Sequence, residues 1–367
     1  MTTLAWFAGR SMVLDLAALT SAFTVGYLLK STSTPTSTPT STDKAGTPPG
    51  STIHHYGYPQ GSVTKPNNSK TEKENGSPKD SKGNVPDCPY KYLVGLYGHH
   101  HFAGFVEALQ PTLKDEDPEK YTLVLDIMDA VHLCLILVDD ICDDSPKRKN
   151  QTTAHLLFGS CETANRAYLV LTKVINRAMR TRPVLGAELV RALELILEGQ
   201  DLSLVWRRDG LAAFDAEEGG DKVSVYKKMA QLKTGTLFVL LGRLLNDGGA
   251  QLDDVLLRLG WYSQLQNDCK NIYSGEYANN KGAIAEDLRN GEMSFPVVVA
   301  LGDQTTSSQI RKAFGSHSDG DIFDALDALQ SSCIKNKCSQ ALQEAGRGLE
   351  NLLAIWGRRE HMDSLGS

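Results

Sequence analysis

An all-α fold is predicted for most of this chain, from residue 88 to about residue 360. Apolar residues recur there at three- and four-residue intervals, the period of an amphipathic helix; one such stripe contains Val124, Ile127, Met128, Val131, Leu135 and Val138. Alternating apolar and polar residues, which indicate strands, are nearly absent. Clusters of Gly, Asp and Ser separate the helical segments, as at 145–150, 219–221 and 247–249. We therefore expect a helical domain built around one core.

Composition narrows the class of protein further. The 367 residues carry a net charge of −6, which argues against a nucleic-acid partner bound through a basic face. The seven cysteines are scattered and form no CxxC pair, so neither a disulfide framework nor a zinc site is expected. A reducing compartment fits this cysteine usage, and we expect a cytoplasmic protein. The composition also excludes collagen, a coiled coil and a multi-span membrane protein.

The N-terminal quarter differs from the rest. Residues 1–30 form a hydrophobic segment whose stretch 11–29 is long enough to cross a bilayer, although Asp15 interrupts it with a charge. A membrane tether, a targeting segment and a dispensable amphipathic helix all fit this pattern. Residues 31–86 are rich in Ser, Thr and Pro and are predicted to be a disordered linker. Residues 87–367 are the predicted folded domain.

Three aspartates lie where the apolar stripe ends. Asp139, Asp140 and Asp143 are spaced i, i+1 and i+4, so they occupy neighbouring parts of one helical face. Carboxylates this close repel one another unless a cation holds them. Their oxygens are the ligands that Mg²⁺ prefers, commonly together with phosphate oxygens. A magnesium site is predicted here, and a solvated acidic helix end is the alternative.

Further polar groups follow at intervals that favour the metal interpretation. Arg148 and Lys149 come soon after the aspartates, as expected where a diphosphate shares the metal. Lys233 lies inside a later apolar helix. The segment 264–271 then places Asn267, Asp268 and Asn271 at helical spacing.

With these motifs the sequence resembles the trans-isoprenyl diphosphate synthases, most closely their fungal geranylgeranyl diphosphate synthase-like branch. The matching stretches, in family order, are CPYKYLVGL (88–96), HLCLILVDDICDDSPKRKNQTTAHLLFG (132–159), EGQDLSLVWR (198–207), KKMAQLKTGTLF (227–238) and LGWYSQLQNDCKNIYSGEYANNKGAIAEDLRNGEMSFP (259–296). The resemblance implies a prenyltransferase domain over 87–367 with the isoprenoid synthase bundle around a central prenyl-binding cavity. It also implies two acid-rich motifs facing each other, three Mg²⁺ ions and a homodimer.

The resemblance also assigns roles. The implied metal ligands are Asp139, Asp140, Asp143 and Asp268. The implied catalytic residues are Asp139, Asp140, Lys233 and Gln264. The implied substrate-binding residues are Arg148, Lys149, Lys233, Lys281, His99 and Phe102.

Departures from the family pattern concern the acceptor. The family's Gly-Lys-x-x-Arg turn, which grips isopentenyl diphosphate, is here Gly98-His99-His100-His101-Phe102, so both permanent cations are lost. Each lost charge-assisted hydrogen bond is worth roughly 1.5–3 kcal/mol. Isopentenyl diphosphate should therefore bind poorly, and His99 and Phe102 would suit a flatter, partly aromatic acceptor. The histidines could instead form a solvated loop, and adjacent histidines on a loop are not expected to converge on a metal.

This profile is similar to that of the geranylgeranyl transferases of fungal indole diterpene pathways. It implies Mg²⁺-assisted transfer of a geranylgeranyl group from geranylgeranyl diphosphate to an aromatic acceptor, with indole-3-glycerol phosphate as the expected one. No aromatic side chain stands at Cys134 or Leu135, so a C20 chain is allowed. The alternatives are a geranylgeranyl diphosphate synthase that uses isopentenyl diphosphate, a terpene cyclase and a non-catalytic partner subunit.

Overall fold

The computed structural model describes residues 86–218, 220–281 and 285–355, without the side chains of 279 and 280. The predicted segment 1–30 and, except for its last residue, the predicted linker 31–86 lie outside the described residues. The domain boundary near residue 87 and the membrane interpretation of 11–29 therefore stay predictions.

The described part is helical, which confirms the predicted all-α class. In chain order the helices are α1 Pro89–Tyr97, α2 Ala103–Leu109, α3 Leu113–Glu116, α4 Pro118–Cys142, α5 Ala154–Phe158, α6 Ser160–Thr181, α7 Pro183–Asp209, α8 Leu211–Ala216, α9 Lys222–Ala230, α10 Thr236–Leu245, α11 Asp253–Tyr273, α12 Gly275–Lys281, α13 Glu286–Arg289, α14 Phe295–Leu301, α15 Ser307–Ser316, α16 Asp319–Leu329 and α17 Ser332–Gly346. A π-helical turn, Gln231–Gly235, joins α9 to α10. The strands β1 Lys147–Arg148 and β2 Gln151–Thr152 form one short antiparallel hairpin.

Helix α4 runs through the core and delivers the aspartates. Asp117 caps its start by accepting a hydrogen bond from the Lys120 backbone N–H, and Pro118 occupies the first turn, where no N–H partner is needed. From Leu123 to Asp140 every residue except Asp126 is buried. The helix is long and apolar enough to cross a membrane, but 83% of that apolar window is buried within the protein. Its hydrophobicity is thus that of a central core helix.

Small residues let three segments meet around Lys233. A Cβ added at Gly260 in α11 would lie 2.5 Å from the Gly235 Cα. One added at Gly199 in α7 would lie 2.8 Å from the Lys233 backbone nitrogen. Both distances are too short for any side chain, so glycine is required for this packing. The π-helical turn carrying Lys233 is therefore held tightly between α7 and α11.

The β hairpin turns the chain back toward the end of α4. Lys149 and Asn150 occupy its two turn positions with φ angles of 50° and 63°. Asparagine tolerates this left-handed region better than most residues, so Asn150 is suited to the turn. The turn places Arg148, which is buried, beside the aspartates of α4.

Candidate active site

Arg148 pairs with the first two aspartates of the acid motif. Its Nη2 lies 3.1 Å from Asp139 Oδ2 and 2.5 Å from Asp140 Oδ1, and its Nε donates to the same Asp140 oxygen at 3.0 Å. All three side chains are almost completely buried. The second oxygen of each carboxylate, Asp139 Oδ1 and Asp140 Oδ2, has no hydrogen-bond partner among the described residues. Each aspartate thus keeps one buried oxygen available to a cation.

Burial makes these carboxylates costly to ionise. It raises the pKa of Asp139 well above the usual range, repulsion from Asp143 raises it further, and Arg148 opposes both effects. Burial also raises the pKa of Asp140, again opposed by Arg148. A cation at this position would favour the charged forms of both groups.

Asp143 faces a second cation and a second acid. Arg207 Nη1, on α7, lies 2.9 Å from Asp143 Oδ1 and 3.0 Å from Glu292 Oε1. Burial raises the pKa of Glu292 well above its usual range, and repulsion from Asp143 adds to the effect. Sequence reasoning missed both Arg207 and Glu292, although each lies within a stretch that resembles the family.

Lys233 brings the two acid motifs together electrostatically. Burial lowers its pKa to about 8, against the attraction of Glu292, Asp139, Asp143 and Asp268, in descending order of effect. Asp139 and Asp143 belong to the first motif and Asp268 to the second. Carboxylates of both motifs therefore act on one ammonium group, which is compatible with motifs that face each other.

Asp268 is held by three donors. Its Oδ2 accepts from the Tyr226 hydroxyl at 2.5 Å and from the Phe295 backbone N–H at 2.8 Å, and its Oδ1 accepts from Gln264 Nε2 at 2.8 Å. Burial nevertheless raises its pKa to about 6. Gln264 is fixed in turn by the Thr234 hydroxyl, 2.6 Å from its Oε1. Gln264 is thus a positioning residue between Asp268 and the turn that carries Lys233.

Lys281 lies at the edge of this cluster. Its Nζ is 3.2 Å from Glu286 Oε2, and Ser145 donates to Glu286 Oε1 at 2.9 Å. Asn271 donates to Asp287 Oδ1 at 3.0 Å. Burial and then repulsion from Asp268 raise the pKa of Asp287 to about 7. Glu286 and Asp287 were not singled out from the sequence, and only the consecutive acidic pair could have indicated them.

The three residues predicted to lie on the acceptor side, Lys149, His99 and Phe102, differ in their burial and contacts. Lys149 Nζ lies 4.3 Å from the centroid of the Tyr97 ring and 3.4 Å from the Leu96 carbonyl oxygen. His99 is exposed. Phe102 is completely buried and packs against the rings of His101 and His132, with centroids 4.8 and 5.7 Å away. Phe102 thus takes part in the packing of the 98–102 turn against α4, and its predicted contact with a substrate stays a prediction.

The chemistry of the donor set fits Mg²⁺. The charges of Asp139, Asp143 and Asp268 act on Lys233, and the unpartnered oxygens of Asp139 and Asp140 are ligands that a hard cation prefers. Cationic Arg148, Arg207, Lys233 and Lys281 lie among them. Such an arrangement can hold a polyanion through both metal ions and ammonium or guanidinium groups.

Comparison with known proteins gives the family. The polyprenyl synthetase family model matches residues 87–329. The chain is 61% identical to the prenyltransferase ltmC of Epichloe festucae var. lolii, covering 99% of each chain. It is 55% identical to the prenyltransferase terC of Tolypocladium album, covering 98% of this chain and 99% of that protein.

A solved structure shares the fold. It is a polyprenyl synthase from Caulobacter crescentus CB15 complexed with calcium and isoprenyl diphosphate, with a TM-score of 0.60 and 19% identity over 73% of this chain and 82% of that one. The isoprenoid synthase-type bundle implied by the motifs is thereby confirmed, as is the resemblance to the fungal branch. The chain belongs to the polyprenyl synthetase family and is a prenyltransferase.

Proposed function

We propose that this prenyltransferase uses Mg²⁺ to transfer a geranylgeranyl group from geranylgeranyl diphosphate to an aromatic acceptor, indole-3-glycerol phosphate. The observation that carries the proposal is the burial of Lys233 within reach of the charges of both acid motifs. A buried ammonium group among carboxylates is suited to a ligand that brings its own negative charge and divalent metal, such as a prenyl diphosphate.

The proposed metal ligands are Asp139, Asp140 and Asp143 on one side and Asp268 on the other, with three ions as the expected number. When bound, Mg²⁺ would supply electrophilic stabilisation of the diphosphate as it leaves. Glu292 is a further candidate ligand, because Arg207 forms ion pairs with both its carboxylate and that of Asp143.

The protein's own groups then have separate tasks. Lys233 would hold its proton and neutralise the departing diphosphate, while Gln264 keeps Asp268 oriented through the hydrogen bond at 2.8 Å. Arg148 and Lys281 extend the positive charge around the same anion. The C1–O bond to the diphosphate would break in apolar surroundings that exclude water, and indole C3 of the acceptor would bond to C1 of the allylic cation. Loss of the C3 proton to the released diphosphate would then restore the aromatic indole and complete the transfer.

The absence of the two cations with which the family binds isopentenyl diphosphate supports an aromatic acceptor. Position 102 carries a buried phenyl ring, and position 99 an exposed imidazole, so neither supplies a permanent cation. Lys149 over the Tyr97 ring provides a cation beside an aromatic surface, and Tyr97 also interacts electrostatically with Arg148. A phosphate-bearing indole could use both kinds of contact. Cys134 and Leu135 are small or aliphatic, which leaves a C20 chain allowed.

Family membership also supports a homodimer, and the unpaired cysteines support a cytoplasmic location. Cys88, Cys134, Cys142, Cys161, Cys269, Cys333 and Cys338 are all free thiols. A membrane tether through residues 11–29 remains part of the proposal for the full chain.

The test uses the full chain with geranylgeranyl diphosphate and Mg²⁺ in three parallel reactions. One receives indole-3-glycerol phosphate, one isopentenyl diphosphate, and one no acceptor, and mass spectrometry identifies the products. A prenylated indole in the first reaction alone is expected. A longer prenyl diphosphate in the second would instead make the protein a chain-elongating synthase, and a hydrocarbon or alcohol in the third would make it a cyclase.

Two controls make the result specific. Removal of divalent metal with EDTA should stop diphosphate release, and added Mg²⁺ should restore it. Asp139→Asn should abolish release in all three reactions. Absence of any diphosphate release from the wild-type chain would favour a non-catalytic partner subunit.

A further inference from the structure

We propose that His99, His100 and Asp126 form a binding site for a transition-metal ion of the Zn²⁺ type, separate from the aspartate-rich centre. Each residue offers one ligand atom, and these atoms all lie within 4.8 Å of one another. Two imidazole nitrogens and one carboxylate oxygen are a donor set that zinc accepts, with water completing the coordination. The sequence alone argued against this convergence, so it is a property of the fold.

The backbone at His100 accounts for the convergence of neighbouring histidines. Its φ angle of 58° lies in the left-handed region, which bends the chain sharply between the two side chains. The ring centroids of His99 and His100 consequently lie 4.0 Å apart. In an extended loop, successive side chains would point to opposite sides.

Helix α4 holds this bend in place. The His100 backbone N–H donates to Asp129 Oδ2 at 2.7 Å, and Asp129 Oδ1 lies 2.9 Å from His101 Nδ1. His101 Nε2 lies 2.5 Å from His132 Nδ1. These contacts fix the turn before α2 against one face of α4, so the backbone at His100 and the His101 ring are held in place before any metal arrives.

The His100–Asp126 pair is close to the spacing a metal needs. His100 Nε2 lies 3.0 Å from Asp126 Oδ1. Two ligands bound tetrahedrally to zinc at about 2.0–2.1 Å lie roughly 3.3 Å apart. A metal could therefore replace the shared proton with a movement of a few tenths of an ångström. His99 is exposed and can rotate into position.

Asp126 is suited to the role by its location. It is the one position between 123 and 140 of α4 that is not buried. Its Oδ2 accepts from Arg177 Nη1 at 2.6 Å, while Oδ1 faces His100. Oδ1 is thus the oxygen that faces the histidine, and Oδ2 faces the exposed Arg177. The nearby Arg177 charge opposes a metal ion, so its removal should not weaken binding.

Distance and chemistry separate this site from the aspartate-rich centre. Asp126 precedes Asp139 by 13 positions in one helix, which corresponds to roughly 20 Å. Imidazole ligands favour zinc, copper or nickel, whereas the aspartate cluster favours Mg²⁺. Excess Mg²⁺ should therefore saturate the aspartates and leave the histidine site for zinc.

The experiment measures Zn²⁺ binding to the untagged full chain by competition with a chromogenic chelator, in millimolar Mg²⁺. All proteins carry His54→Ala and His55→Ala, which removes the chain's other adjacent histidine pair. One tight equivalent is expected, weakened at least tenfold in His100→Ala and in Asp126→Asn. His317→Ala, an exposed histidine in another turn, should bind as the parent does. Arg177→Ala should bind at least as tightly, which separates loss of the ligand from loss of the ion pair.

Equal zinc affinity in the parent and in His100→Ala, or no tight equivalent in the parent, would overturn the proposal. His99→Ala provides a second ligand variant that does not depend on the anchored turn, because its ring is exposed. Circular dichroism in EDTA checks that each variant is folded. None of these readouts depends on prenyl transfer, so the result stands whether or not the proposed reaction is correct.

Discussion

Stability of the metal-free protein should fall as the pH rises from about 4 to 6, because Asp268 is buried. Its pKa is raised from 3.8 to about 6. Between these values the folded state keeps a proton that the unfolded state has lost, so the free energy of unfolding decreases with rising pH. The stabilisation is complete below pH 3.8 and is lost as the pH passes 6. The difference corresponds to about 3 kcal/mol for this one group.

Other carboxyl groups with shifted pKa values do not reverse this fall in stability. Asp287, whose pKa is raised to about 7, continues the loss of stability to that pH. The half-buried Asp303 has the opposite effect: its hydrogen bonds to Thr305 and Lys337 lower its pKa, so its stabilisation is lost only as the pH falls below about 4. The two effects therefore occupy different pH ranges.

Urea unfolding in EDTA at fixed ionic strength, from pH 4 to 7.5, measures the effect. Asp268→Asn should remove up to about 3 kcal/mol of the pH-dependent loss between pH 4 and 6, while Asp303→Asn should leave that range unchanged. Mg²⁺ should flatten the wild-type dependence, since a metal favours the ionised carboxylate. The change with pH is the readout, because asparagine also alters the hydrogen bond with Tyr226. A wild-type stability that rises over this range, or an unchanged dependence in Asp268→Asn, would refute the reasoning.

Four further predictions test other parts of the site and fold. Lys233→Gln should lower kcat for diphosphate release on the order of 10²-fold with little change in melting temperature, since it removes one cation from the leaving group; near-normal kcat would contradict its role. Asp139→Asn should abolish release yet leave metal-free stability unchanged or higher, because burial disfavours the Asp139 charge; loss of folding by circular dichroism would indicate a structural role instead. The double variant His99→Lys, Phe102→Arg restores the family cations but should not improve use of isopentenyl diphosphate, because the arginine would enter the core at a cost of about 3 kcal/mol or more. His99→Lys alone should fold normally. Efficient chain elongation by the double variant would show that position 102 can reach substrate. Gly260→Ala should lower stability by about 1–3 kcal/mol in thermal unfolding, since its Cβ would lie 2.5 Å from Gly235 Cα; an unchanged melting temperature would contradict the close packing.

The sequence predicted those features that depend on local spacing. Asp139, Asp140 and Asp143 lie within about one turn at the end of an apolar stripe, and this spacing predicted that they share one face at the end of a helix. The all-α class follows for the same reason, because the helical period recurs through the whole domain.

Features that depend on tertiary contact were not predictable in this way. Glu292 pairs with Arg207 from a helix 85 residues earlier in the chain, and no local pattern marks either residue. Phe102 aligns with a family arginine, so alignment suggested a substrate contact, but its burial depends on packing against α4. The close approach of the His99 and His100 rings depends on a left-handed backbone conformation at His100, which three consecutive histidines do not predict.

Charge balance supports metal dependence independently of the family. Among the described residues, seven carboxylates and four cations form the electrostatic network around Lys233 and Lys281, a formal charge of −3; they are Asp139, Asp140, Asp143, Asp268, Glu286, Asp287, Glu292, Arg148, Arg207, Lys233 and Lys281. Without a metal, burial raises the pKa values of Asp268 and Asp287, so the cluster favours retention of protons. A prenyl diphosphate would add further negative charge to the same buried region, where uncompensated charge is strongly unfavourable. More than one divalent ion is needed to neutralise both, which supports the proposed cluster of Mg²⁺ ions.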